Sequence, residues 1–138
     1  MKSLQLKKKI KLKIIEFREK FYLHDSSIEK IFFDEKNKKI SLIIEFCFWW
    51  QTWYDKNTPT NGKISVTFEN VLFFEYDENI SEKIFSDELD GEILNAELDE
   101  NGIFVIFSVE TSADEEFYWK LKINAANVEV LELERYNL

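Results

Sequence analysis

The chain has one cysteine, Cys47, one proline, Pro59, and one histidine, His24. A single cysteine cannot close an internal disulfide, so the fold must be held by packing rather than by covalent staples. One histidine and one cysteine cannot build a zinc site of the usual kind. The three glycines, Gly62, Gly91 and Gly102, lie far apart, which argues against a phosphate-cradling glycine loop. With a single proline they also leave no long flexible linker. No run reaches the ~18 apolar residues of a membrane-spanning helix, so no membrane association is expected. The first apolar residues are interrupted by Lys7, Lys8, Lys9, Lys11 and Lys13. A signal peptide is therefore not expected, and a cytoplasmic protein is the simplest account.

Aromatic residues, by contrast, are abundant. Thirteen Phe, five Tyr and four Trp make up 16% of 138 residues, and 45% of the chain is hydrophobic. That is enough to build a real core, so disorder is not expected, and the length fits a single domain over 1–138. The net charge of −9 is uneven: residues 1–40 carry +6, residues 41–66 are neutral and residues 67–138 carry −15. Such asymmetry either marks a partner surface or fills the solvent faces of the C-terminal strands. In both cases the acidic half would repel phosphates, so no nucleic-acid partner is expected.

The most informative pattern lies at residues 40–50. Ile40, Leu42, Ile44, Phe46, Phe48 and Trp50 alternate strictly, which puts them on one face of a strand and places Trp50 in the core. Cys47, between Phe46 and Phe48, reads as a small buried hydrophobe. Before this strand, Leu6, Ile10, Ile14, Phe17 and Phe21 recur at helical spacing and predict a helix over 5–22. A rival alternation runs through Leu4, Leu6, Ile10, Leu12 and Ile14, so the helix is better supported from Ile10 onward. Strands are predicted at 28–34, 39–50, 63–69, 71–76, 92–99, 103–110, 116–123 and 127–134. Residues 51–61 form an open loop, and 77–91 an acidic irregular segment holding a turn at Ile80 and Ile84. Asn101-Gly102 predicts a type I′ hairpin turn. A phase change predicts a bulge near 130–131. The expected fold class is α+β: an N-terminal helix packed on an antiparallel β-meander of about eight strands.

Chemistry-bearing constellations are scarce. His24, Asp25, Ser26 and Ser27 are the residue types of a hydrolase triad, but neighbours on one strand point apart and cannot converge. His24 reads instead as a hydrogen-bonding anchor, and Asp25 as an acceptor of backbone N–H groups in a turn. Ser27-Ile28-Glu29-Lys30 matches Ser-x-x-Lys without its companion motifs. The acids from Asp87 to Glu100 lack the order of a calcium loop. Carboxylate pairs carry no weight among 27 acids without a cleft. No metal, cofactor or catalytic residue is expected. The surface candidates are Trp49, Trp53 and Tyr54, because Trp and Tyr dominate binding hot spots. Trp53 and Tyr54 either present an interface or fold back to cap the core. Asp87, Glu88 and Asp90 are candidate steering charges.

The order of a helix, then Tyr22-Leu23-His24-Asp25-Ser26, then Ile28 and Ile31 opening a run of hairpins, resembles a group of small bacterial proteins. Some of that group look like immunity proteins encoded beside polymorphic toxins. The local likeness covers residues 17–46. The resemblance implies a non-enzymatic protein that binds a toxin domain and no shared catalytic residues. A basic toxin domain, occluded by an acidic and partly aromatic surface, is the expected partner. The alternative is a small-molecule-binding module with an aromatic-lined pocket at one end of the sheet.

Overall fold

The computed structural model describes residues 9–112 and 115–137. Among these residues it is an α+β structure with one short α-helix and nine strands in one antiparallel sheet. In chain order these are β1 (Ile10–Lys13), α1 (Ile14–Lys20), β2 (Ser27–Asp34), β3 (Lys39–Cys47), β4 (Asn61–Glu69), β5 (Phe73–Tyr76), β6 (Gly91–Leu98), β7 (Phe104–Ser112), β8 (Glu115–Asn124) and β9 (Asn127–Tyr136). The order across the sheet is β1-β9-β4-β3-β2-β6-β7-β8-β5.

That order is not a simple meander. β2-β3-β4 and β6-β7-β8 are consecutive hairpins, but β4 to β5 and β8 to β9 cross the sheet. Only three residues separate Glu69 from Phe73, and only two separate Asn124 from Asn127. Four residue steps span at most about 14 Å, whereas strands six places apart in a flat sheet lie about 29 Å apart. The sheet must therefore roll over so that its two halves face each other. The two crossings lie side by side, joined by Leu72 N–H to Asn124 O at 2.9 Å and Ala126 N–H to Glu69 O at 3.3 Å. Asn70, at φ 55°, makes the sharp bend out of β4.

The rolled interior is aromatic and aliphatic. Phe68 of β4 and Phe104 of β7 lie four places apart in strand order, yet their ring centroids are 5.6 Å apart. Phe17 of α1 meets both rings, at 6.1 and 5.6 Å. Around them pack one face each of β3, β4 and β8: Ile40, Leu42, Ile44 and Phe46; Ile64, Val66 and Phe68; Trp119, Leu121 and Ile123. β7 sits between β6 and β8 as a central strand, although Phe107 is exposed on its outer face.

The helix is shorter than the spacing predicts, and residues 5–8 of that prediction lie outside the described residues. From Ile10 to Lys13 the rival alternation prevails, because β1 gains ladder bonds along β9, with Ile10 opposite Val130 and Leu12 opposite Val128. This is the ninth strand. A seven-residue helix is marginal alone. α1 persists because Phe17 is fully buried and because Glu16 Oε1 accepts the Lys13 N–H at 3.0 Å.

Two turns differ in detail from expectation. At Asn101-Gly102 only Gly102 has positive φ (77°), so the turn is not type I′. Asp99 Oδ1 instead accepts the N–H groups of Asn101 and Ile103, and the Gly102 N–H closes on Asp99 O. In β9 the register slips between Ile64–Glu132 and Lys63–Glu134, so Leu133 is the extra residue, beyond the predicted 130–131.

Among the described residues the two halves of the sheet are joined in the ladder by two pairs, Ser27–Glu92 and Ile28–Gly91. Irregularities at Ile28/Lys30 and Ile93/Asn95 flank this seam and let β2 and β6 diverge. Gly91 is required there: a Cβ would sit 2.1 Å from the Trp119 indole. Gly91→Ala is expected to cost about 1–3 kcal/mol through overpacking. In thermal unfolding its loss and that of Trp119→Phe should combine to less than their sum, because both act on one contact.

On the outer face Tyr136 Oη donates to Glu45 Oε1 at 2.7 Å, spanning β9 and β3 across β4. Burial first, then the bond and charge of Glu45, then Glu29 and Glu134, push this phenol well above its ordinary value of 10. The folded chain thus holds the proton more tightly than the unfolded chain. The linked stability is fully present below pH 10 and is lost as pH rises through the folded-state value. Tyr136→Phe should remove one late-ionising phenol from an alkaline absorbance titration and flatten the loss of stability above pH 10.

Candidate functional site

The site is built where β3 stops. After Cys47 the chain leaves the strand for a single 3-10 turn, Phe48–Trp50. Thr60 O accepts both the Phe48 N–H (2.8 Å) and the Trp49 N–H (3.2 Å), which holds the turn closed. Phe48 stays buried beneath the Arg135 guanidinium, 3.9 Å from its ring centroid. The turn breaks the period of two, so Trp50 does not continue the core phase as alternation predicts. It is 39% exposed and lies beside Trp49, 47% exposed, with centroids 4.2 Å apart and planes 26° apart.

The neighbouring 22–26 junction completes the cluster. The ring centroids of Tyr22, His24 and Trp50 are mutually 5.6–6.3 Å apart. Tyr22 is also exposed. Four rings therefore share one surface, and buried polar bonds fix it from beneath. Gln51 is the central clamp: its Nε2 donates to Tyr22 O (2.7 Å) and Cys47 O (2.9 Å), and its Oε1 accepts the Tyr22 N–H (2.7 Å). Ser26 Oγ, fully buried, accepts the Cys47 N–H at 3.2 Å.

Asp25 adopts φ 64°, and its N–H donates to Ile93 O at 3.2 Å. Its carboxylate does not cap backbone N–H groups, as the sequence suggests; Oδ2 accepts the Trp50 indole N–H at 3.1 Å. Oδ1 lies 3.4 Å from His24 Nε2. His24 Nδ1 is 3.0 Å from Leu94 O, which can only accept, so Nδ1 carries the proton. His24 thus anchors the junction to β6. The cluster borders a cleft of about 430 Å³ whose other walls include Arg18, Lys20, Gln51 and Asn95.

The candidate nucleophiles beside the cluster are already engaged. Ser26 is buried and engaged, and the Cys47 S–H donates to Asp25 O at 3.3 Å. Burial, chiefly, raises the Cys47 thiol above its ordinary value, which suppresses the thiolate. Neither group is poised as a nucleophile for His24. Among the described residues no group of three or more His, Cys, Asp and Glu side chains is placed to hold a metal ion. No helix among them is long and apolar enough to cross a membrane.

The sequence-predicted residues separate. Trp49 is in the cluster. Trp53 is only 9% exposed: it stacks on Phe46, meets Phe21 and Phe48 edge-on, and donates its indole N–H to Lys20 O at 2.7 Å. It caps the core and fastens the end of α1, so it is not a free surface anchor. Tyr54 is half-buried, with its hydroxyl donating to Thr58 O at 3.0 Å. Asp87, Glu88 and Asp90 are exposed, but none lines the cleft beside Trp50. They lie on the 77–90 segment, where Asp87 pairs with Lys30 at 3.1 Å and the Asp90 N–H donates to buried Glu110 at 2.8 Å. Local pattern marks neither Tyr22 and Trp50 as exposed rings nor Gln51 as the buried clamp. The only signal for them is composition: a polar Gln directly after an aromatic run, beside a His-Asp junction.

No protein-family model matches this chain, and no curated protein or solved structure gives a significant match.

Gln51→Leu would remove one buried and two part-buried bonds to backbone groups. The expected loss is on the order of 3 kcal/mol, read by denaturant unfolding. The near-ultraviolet circular dichroism of the Trp49–Trp50 pair should change with it. An unchanged midpoint would mean that Gln51 is not the clamp.

Proposed function

We propose that the chain is a non-enzymatic module that binds one protein partner stoichiometrically through the Tyr22–His24–Trp49–Trp50 surface. The observation that carries this reading is the combination of exposure and rigidity in that cluster. Large aromatic side chains left in water on a backbone that the Ser26 and Gln51 bonds hold in place have less ordering entropy to lose on burial in a complex. Each aromatic side chain removes about 150–250 Å² on burial. At ~25 cal/mol per Å², the two tryptophans alone offer several kcal/mol.

Charge favours a basic partner. Asp87, Glu88 and Asp90 belong to the acidic half and act as steering charges that speed encounter rather than as contacts beside Trp50. A toxin domain of basic surface, neutralised by occlusion, is the form of partner that agrees with both charge and cluster. A second reading rests on the 430 Å³ cleft between Tyr22, His24, Trp50 and α1, which is large enough for a small polar ligand.

One experiment separates the two readings. Affinity capture from the source organism, followed by reconstitution from purified components, should yield one basic protein in near-equal amounts. Trp49→Ala combined with Trp50→Ala should weaken that complex by about a hundredfold while leaving the unfolding midpoint within a few degrees. Recovery of a co-purified metabolite with no protein would favour the cleft reading and remove the proposed one.

A further inference from the structure

A second surface stands apart from the Trp49–Trp50 cluster. β5 is the last strand in the sheet, so one of its edges has no strand partner among the described residues. Natural edges are usually blunted by lysine, proline or an inward charge, because an open row of N–H and C=O groups templates pairing. β5 has neither lysine nor proline, and its one charge, Glu75, is exposed rather than inward; its other three residues, Phe73, Phe74 and Tyr76, are aromatic. Leu72, just before it, is 79% exposed.

Beside this edge runs an aromatic row. Phe33 meets Phe74 (5.6 Å), Phe74 meets Tyr76 (5.6 Å), and Tyr76 meets Phe85 (6.1 Å). Phe85, Phe32 and Phe33 are exposed and line a cleft of about 320 Å³ with Ile31 and Glu35. An edge supplies main-chain bonds, and a neighbouring cleft supplies a seat for every second side chain. Those are the two requirements for adding an extended segment.

Charge selects the occupant. Residues 72–90 carry seven carboxylates against one base, Lys83, and the balance stays acidic with Lys122 opposite Glu75 in the ladder and Lys30 paired with Asp87. Lys83 is already paired with buried Glu110 and sits over the Phe117 ring. Glu75 lies on the strand itself and Glu35 in the cleft. A second copy of the chain would bring the same acids face to face. An added strand bearing lysine or arginine would meet them favourably.

We propose that β5 is an acceptor edge for an extended segment of a partner protein in which apolar residues alternate with lysine or arginine. The apolar side chains enter the Phe33–Phe85 cleft and the basic ones face Glu75 and its acidic neighbours. This surface does not depend on the Trp49–Trp50 reading and stands if that reading fails.

The test uses the full chain and a synthetic eight-residue peptide alternating lysine with valine and phenylalanine. Its companions are the same peptide with glutamate for lysine and the same peptide N-methylated at alternate residues. In calorimetric titration the lysine peptide should bind with a Kd at least about tenfold below the glutamate peptide. N-methylation, which keeps charge but removes main-chain pairing, should weaken it about tenfold or more. Phe85→Ser, at an exposed position, should weaken it by a similar factor, whereas Trp49→Ala should leave it unchanged. Amide hydrogen exchange should slow across Phe73–Tyr76 and not across Ile10–Lys13 at the opposite edge. Equal binding of the lysine and glutamate peptides, insensitivity to N-methylation, or no binding at millimolar peptide would overturn the proposal. So would protection of β5 that rises with protein concentration in the absence of peptide, which would give the edge to a second copy.

Discussion

Two connections too short to cross an open sheet govern this structure. The links from Glu69 to Phe73 and from Asn124 to Asn127 join strands that lie six places apart in the ladder. A flat sheet cannot satisfy them, so the sheet rolls, and rolling brings Phe68 and Phe104 into contact. Burial of apolar area then stabilises what the connections demand. Phe17 enters between the halves, which is why so short a helix persists. The seam between β2 and β6, two pairs long, tolerates the divergence because Gly91 leaves room for the Trp119 indole.

Both exposed aromatic surfaces follow from that rolling. At one end β3 stops at Cys47 because the next residues must turn back toward Thr60. The turn keeps Phe48 inside and sends Trp49 and Trp50 out. Gln51 and Ser26 then use buried bonds to fix a surface that hydrophobicity alone would collapse. Elsewhere, β5 is carried to the far edge of the sheet, away from β4, its neighbour in sequence. Among the described residues it therefore ends the ladder, with aromatic side chains and an edge that no strand pairs. Acidic residues outnumber basic ones along that edge and the segment after it, which disfavours pairing between copies.

Local rules read much of this chain correctly. The inward phases of β3, β4 and β8 follow strict alternation, since a side chain in a strand has only two faces to choose from. They failed where a residue had two consistent readings. Ile10 and Leu12 satisfy both a helical stripe and an extended one, and the presence of β9 alongside decides for the strand. Trp50 fits the core phase only if the strand continues, and the turn at Phe48 ends it. Trp53 and Tyr54 shared a loop and an amphipathic character. The free Lys20 carbonyl at the end of α1 draws the Trp53 indole inward, a partner 33 positions away that no local pattern contains.

By itself, then, the sequence determined the sheet class, the inward face of the long regular strands, the absence of covalent staples and the acidic character of the second half. Each of these depends on side-chain periodicity or composition, which are local or additive. Tertiary structure alone decided the strand order, the rolled closure and which aromatic residues face water. Those depend on contacts between segments distant in the chain, where the reach of a short connection and the satisfaction of a buried polar group outweigh any preference a neighbouring residue can express.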